Sequence, residues 1–217
     1  MTILDALLAI LGGFRITATV ALLGLLYAVP FALVLGVLQF VSRGWRHALL
    51  TAVIEFWRSS PIIILLFVFY YTLPTLGIKL DALVVGTLVL GLNTGGYGSQ
   101  AVRGALQAVD RGQRLAAAAI GLTPWKSMLY IELPQACTAM IPTFINLFIQ
   151  LVKNTALISL ITLHDLTYHA KALAQAQYNP VPIYTGLLLS YLMVCYPLTI
   201  LGRMAERRFN PAKRSAA

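Results

Sequence analysis

Asn146, Gln150, Lys153 and Asn154 recur at i, i+4, i+7 and i+8, so a helix through them carries all four on one face. Amides and an ammonium inside an apolar stretch suit one of two roles. They line a path for a polar solute, or they hydrogen-bond between helices and hold a bundle together. Lys153 is the sharpest member and suits a carboxylate, although a lysine near a helix end can also snorkel to the boundary. Glu55 and Arg58 stand three apart and are expected to pair on one helix, with a part in gating as the alternative. His164, Asp165 and His169 have poor spacing for zinc and no third catalytic partner, so a solvated loop is expected there. Cys137 and Cys195 lie far apart and form no C-x-x-C. No G-x-S-x-G or H-E-x-x-H occurs, and none of the five lysines follows a glycine, which excludes a Walker segment. The residues supply no catalytic constellation and no metal ligand set, and leave a solute path or a hydrogen-bonded bundle as the two readings.

The elements that must position these residues are set by composition. Hydrophobic residues make up 59% of the 217 and charged residues 11%, against about 45–50% and about 25% in soluble domains. Mean hydropathy is +0.81. So few charges could not cover a soluble surface, which excludes cytosolic enzymes, disordered tails and disulfide scaffolds. The net charge of +9 would suggest nucleic acid in a soluble chain; in a membrane protein it reports topology, and no nucleic-acid partner is expected.

Reading from charge to charge gives five apolar windows long enough to span a bilayer as helices. They predict an all-α membrane protein, one domain over 1–217, with spans at about 16–41, 50–73, 82–106, 134–160 and 183–203. Tyr178-Asn179-Pro180-Val181-Pro182 reads as loop before the last span. No window alternates every second residue as a barrel strand would. The first fifteen residues carry Asp5 and lack a basic start, so a short interfacial helix is expected and not a signal peptide. Twelve basic residues fall on the C-terminal side of the membrane, including Arg207, Arg208, Lys213 and Arg214 of the tail, against Arg15, Lys79 and Lys171 on the other. That asymmetry predicts a periplasmic N-terminus and a cytoplasmic C-terminus, with the basic tail drawn to anionic lipid. In the third window, Asn93-Thr94-Gly95-Gly96-Tyr97-Gly98 suits close helix packing or a locally opened helix.

The longest cytoplasmic connection, about 107–133, has the most local detail. Asp110 is an N-cap, Ala116 to Ala119 form a strong helix, and Gly121 suits a left-handed stop. Thr123-Pro124 restarts a helix, and Leu133-Pro134 turns the chain into the fourth span. Helix, glycine corner, helix with small alanine faces describes a docking element.

Gly112, Gln113, Ala116, Ala117, Gly121, Ile131, Leu133, Pro134 and Ala136 match "GQ…AAxxxG…xxxIxLPxA", which resembles the EAA loop of ABC importer permeases. The chain resembles the polar amino acid (histidine/glutamine-type) branch. Glu55 to Pro61, EFWRSSP, is similar to its E-x-x-R-G-T-P segment. Tyr97 to Gln113, which includes Arg103, is similar to Y-x-x-E-x-x-R-G…G-Q, and Lys153-Asn154-Thr155-Ala156-Leu157 to K-D-T-S-L. Leu115 stands where the family has the EAA glutamate, Gln100 where it has the glutamate before R-G, and Asn154 where it has the aspartate of K-D-T.

The resemblance implies a permease subunit of a binding-protein-dependent importer for a polar amino acid or similar small zwitterion, in the bacterial inner membrane. A second permease subunit, identical or not, would pair with it. Two ATPase subunits would bind ATP and Mg and dock below, and a periplasmic solute-binding protein above; this chain itself would hold no cofactor. Gln113, Leu115, Ala116, Ala117, Ala118, Gly121 and Leu122 would couple to the ATPase. Asn146, Gln150, Lys153, Asn154 and Thr155 would line the substrate pathway, while Glu55, Arg58, Pro61, Arg103 and Pro134 would be structural. Relatives importing cationic amino acids are expected to carry acids on the fourth span; the matching Leu147 and Asn154 are neutral, so a neutral or acidic substrate is expected. A secondary transporter is the alternative class. It would show inverted repeats and acids within the membrane for coupling ions, and neither is apparent.

Overall fold

The structure, a computed structural model, describes residues 2–209, which fold as helices without a strand among them. Lys213 and Arg214 of the basic tail lie outside the described residues. Helix α1, Ile3–Ile10, starts on a capping box: the Thr2 hydroxyl accepts from the Asp5 amide, and the Asp5 carboxylate accepts from the Thr2 amide. Asp5 thus has a local reason to be there. One face of α1 buries Ala6 and Ile10, while Leu4 and Leu8 stay exposed. A single 3₁₀ turn, Leu11–Gly13, leads into α2, Phe14–Val41.

The second predicted span, 50–73, is broken. Helix α3 covers Trp45–Ser59; α4, Ile62–Phe67, continues through a π turn and a 3₁₀ turn to Leu76, bent 94° from α3. Pro61 is the cause: it offers no N–H to the preceding turn and pushes Ser60 to extended backbone, ψ 135°. Gly77 ends the segment with φ at 85°.

Helix α5, Ala82–Ala108, forms the centre of the bundle. The glycine-rich stretch serves packing, and the helix runs through it unbroken. A Cβ on Gly91 would lie 2.6 Å from the Gly24 carbonyl oxygen of α2, and one on Gly95 2.9 Å from that of Ala28. Around this pair gather Val20, Leu66, Val89, Leu90, Leu151 and Ile158 as a buried core.

Next come α6, Arg111–Ala119, and α7, Pro124–Ser127; a π turn, Met128–Glu132, then delivers α8, Leu133–Asn154, which continues as a 3₁₀ segment over Thr155–Ile161. The region expected as a solvated loop instead holds α9, Leu166–Gln177. The expected loop at Tyr178 to Pro182 shrinks to two residues, because Tyr178 adopts φ 50° and α10, Pro180–Phe209, begins on its prolines. First-turn prolines forgo amides that would have no helical partner anyway.

Among the described residues, three continuous stretches are long and apolar enough to cross a membrane: Ile3–Val41, Pro124–Ile161 and Pro180–Glu206. The bent pair α3–α4 makes a fourth if it counts as one span. Helix α5 has 27 residues, but Asn93, Thr94 and its glycines dilute its hydropathy; most of it faces protein.

Asp165 is fully buried and caps α9, accepting from the Tyr168 amide at 2.9 Å. The Tyr191 hydroxyl of α10 donates to its other oxygen at 3.4 Å, and Thr17 of α2 accepts from the neighbouring Leu166 amide. Burial pushes the Asp165 carboxyl above its ordinary value of 3.8, against the pull of these hydrogen bonds. Protonated in both states at low pH, it then costs nothing; as pH rises through the raised native value, ionisation favours the unfolded chain. Asp165→Asn keeps a capping oxygen and removes the titration. Its stability advantage over the parent, from thermal unfolding in mild detergent, should grow between acidic and neutral pH. Asp165→Ala should lose about 1 kcal/mol through the missing cap.

Candidate functional site

The bend between α3 and α4 creates a polar problem that α5 solves. The Trp57 carbonyl would accept from the amide four residues on, but that residue is Pro61. Asn93 supplies the missing donor through Nδ2 at 2.7 Å. One turn along α5, the Tyr97 hydroxyl donates to the Arg58 carbonyl at 3.0 Å. Two side chains at i and i+4 thus cap the orphan carbonyls of a helix about 40 residues earlier in the chain.

Beside this crease lies a cavity of about 510 Å³ between α3, α4, α5 and α8. Arg58, Ser59, Ser60 and Pro61 form one wall, Asn93, Thr94 and Tyr97 another, and Leu147, Gln150 and Asn154 the third. Gln150 donates to Asn154 at 3.4 Å. Arg58 bonds Glu55 through Nη1 at 2.8 Å, and the Ser59 hydroxyl donates to the other Glu55 oxygen, also at 2.8 Å. The expected pair therefore forms, and its arginine lies in the cavity wall.

The polar face expected on the fourth span divides. Gln150 and Asn154 line this cavity. Lys153, about 100° round the helix from Asn154, lines a separate cavity of about 370 Å³ facing Tyr191, Cys195 and Thr199 of α10. Thr155 is fully buried and its hydroxyl donates to the Val152 carbonyl, so it faces neither cavity. Asn146 is exposed and lines neither. Sequence reasoning missed Ser59, Ser60 and the capping role of Asn93 and Tyr97. The signal was available at Pro61, whose missing amide leaves Trp57 needing a donor.

A second polar cluster holds α2, α3 and α5 together. Gln39, buried, donates to the Thr51 hydroxyl at 2.8 Å and accepts from Gln100 at 2.9 Å. Gln100 acts here as a neutral interhelical bridge between α5 and α2. Arg103 lies half-buried one turn further along α5.

At the far end of α5 the helix–corner–helix segment has the predicted local form. Asp110 caps α6, and Thr123 caps α7, accepting from the Lys126 amide. Gly121 adopts φ 78°, its amide bonds the Ala118 carbonyl, and the Leu122 amide bonds that of Ala117. Ala117 is buried and Leu122 half-buried, so these two face inward. Gln113, Leu115, Ala116 and Ala118 are exposed, joined by Ile120 and Trp125, which the sequence did not single out. Leu115 and Ile120 are 72% and 75% exposed, an apolar surface with nothing on it. The corner is tied down by Arg114, whose Nε bonds Glu132 at 2.8 Å and whose Nη2 donates to the Leu106 carbonyl of α5. The Ser127 hydroxyl also donates to the buried Glu132. Pro134 follows this latch but does not turn the chain: Leu133 stays helical, φ -64° and ψ -43°, and the helical stretch runs unbroken from Pro124 to Ile161.

A multi-pass helical membrane protein with a polar cavity amid its helices and a bare apolar corner at one end has the parts of a transport component that works with others. The chain belongs to the family described as the binding-protein-dependent transport system inner membrane component, matched over residues 28–211. It is the permease subunit of such an importer; ATP hydrolysis lies in a separate subunit. The "Probable glutamine ABC transporter permease protein GlnM" of Bacillus subtilis is 33% identical over 209 residues, covering 96% of this chain and 90% of the relative. The "Probable amino-acid ABC transporter permease protein y4tF" of Sinorhizobium fredii is 38% identical over 159 residues, covering 70% and 67%. A crystal structure of an amino acid ABC transporter with histidines superposes with a TM-score of 0.85 at 27% identity, over 92% of this chain and 94% of that one. The MetNI methionine transporter shares the fold, with a TM-score of 0.71 at 21% identity over 96% of each chain.

Proposed function

We propose that this permease carries an amino acid with a neutral or acidic side chain across the bacterial inner membrane, through the cavity at the α3–α4 bend. It would cross the membrane five times, with α5 as the central span, the N-terminus periplasmic and the C-terminus cytoplasmic. The charge asymmetry of the sequence supports that orientation. A second permease subunit completes the pathway, a periplasmic binding protein delivers the substrate, and two ATPase subunits holding ATP and Mg supply the energy.

The observation that carries this reading is the bare apolar corner of α6 and α7. Leu115, Ile120 and Trp125 are too exposed to contribute to this fold, and small alanines beside them let another backbone approach. A leucine in place of an acid at that corner fits docking by packing. Co-purification with an ATPase tests the class, since a secondary transporter would need none. Gly121→Val tests the corner. No side chain crowds Gly121, so the substitution acts through its left-handed φ alone, which a β-branched residue resists. Substrate-stimulated ATPase activity should fall about tenfold while the spans stay inserted, and Gly121→Asn, which tolerates that backbone, should retain most of it. Full stimulation in a well-folded Gly121→Val complex would sink the assignment.

A further inference from the structure

We infer that Arg58 is the group in this permease that holds the substrate carboxylate, an inference resting on the proposed passage of an amino acid through the α3–α4 cavity. Among the residues lining that cavity one carries a charge, and it is a cation. Lys153, the cation expected to meet a carboxylate, faces α10 in a different cavity. Glu55 does not line the cavity, and its bond to Arg58 runs through Nη1 at 2.8 Å. Nε and Nη2 of the guanidinium fork lie outside that pair, and a planar fork suits a two-oxygen carboxylate.

The arginine is also held in place before any ligand arrives. Its guanidinium lies 5.5 Å from the centre of the Tyr97 ring, while the Tyr97 hydroxyl bonds the same residue's carbonyl. Glu55 is in turn held by Ser59. A guanidinium held between Glu55 and the Tyr97 ring loses less freedom on binding. Across the cavity stand Gln150 and Asn154, whose amide oxygens can accept from an ammonium. Cation on one wall and amides on the other match the two ends of a zwitterion. Among the described residues no carboxylate lines the cavity to meet a cationic side chain.

The binding protein would itself select for a carboxylate, so the test leaves it out. Saturation-transfer NMR on the assembled permease–ATPase complex compares L-glutamine with its α-amide, and L-glutamate with its α-amide. The parent complex should prefer the free acid by about tenfold or more. Arg58→Gln, combined with Glu55→Gln so that no lone carboxylate remains, should weaken binding of the acid by a similar factor and erase the preference. Lys153→Ala should leave the preference intact. A preference that survives in the folded Arg58→Gln/Glu55→Gln complex overturns the inference while leaving the amino acid reading standing. A preference abolished by Lys153→Ala moves the anchor to the other cavity and also overturns it. A parent complex that binds none of the four compounds, and imports no amino acid with any binding protein, removes the amino acid reading and this inference together.

Discussion

Arg114→Ala should destabilise the permease by about 2–3 kcal/mol, a large loss for one exposed-to-buried contact. The asymmetry of the pair explains the size. The Glu132 side chain is only 6% exposed, whereas that of Arg114 is 38% exposed. Removing the arginine strands a carboxylate in a nearly dry site with one hydroxyl, from Ser127, as its remaining partner. The exposed half of the pair is screened by solvent, which keeps the figure below that of a fully buried pair. The same substitution removes the bond to the Leu106 carbonyl and the stacking on Phe40, whose ring centre lies 5.2 Å from the guanidinium. Function should suffer beyond stability, because Arg114 ties the α6 corner to the end of α5. Glu132→Gln alone should cost less, and the double variant should recover part of the loss, as expected when the stranded charge is the main cost. Chemical unfolding in detergent gives the four corners of the cycle; strict additivity would show that the two residues act independently.

Gly91→Val should have the larger effect on assembly of the bundle. A Cβ at Gly91 would sit 2.6 Å from a backbone oxygen of α2, and backbone cannot rotate aside as a side chain can. Helices α2 and α5 would have to separate along the most extensive contact of the fold, opening the core around Val89, Leu90 and Leu151. Gly91→Val should yield little monodisperse protein, and Gly91→Ala should unfold at a clearly lower temperature. Gly104 is the internal control. It lies on the same helix, and beyond the backbone of its own turns a Cβ there would meet nothing within 4 Å. Gly104→Ala should be neutral or gain up to about 1 kcal/mol from helix propensity. If both glycines respond alike to alanine, close approach of α2 and α5 is not what Gly91 provides.

The residues differ in how far their roles could be read without the fold. The Asp110 and Thr123 caps and the turn at Gly121 were legible because each depends on chemistry within about five residues; the bend expected at Leu133-Pro134 was not, because Leu133 keeps helical backbone and the helix runs on through it. Membrane class was legible because bilayer hydrocarbon acts on every residue of a span at once. Hydropathy windows nevertheless fused α3 and α4 into one span, since averaging hides a single proline whose effect is to remove one hydrogen bond. The glycines of α5 suited either packing or an opened helix, and only their partners on α2 decide for packing.

Other decisions needed the tertiary structure. Asp165 and His169 looked like parts of a solvated loop, yet Asp165 is buried between α1, α2 and α10 as a helix cap. Asn93 and Tyr97 acquire their roles from carbonyls 36 and 39 residues away. Glu132 gains its partner 18 residues back. Helical periodicity grouped Gln150, Lys153 and Asn154, and the neighbours of α8 then separated them. A helix turns about 100° per residue, so adjacent side chains face different surroundings. What stands opposite each one is set by α3 and α5 on one side and α10 on the other, and no local rule carries that information.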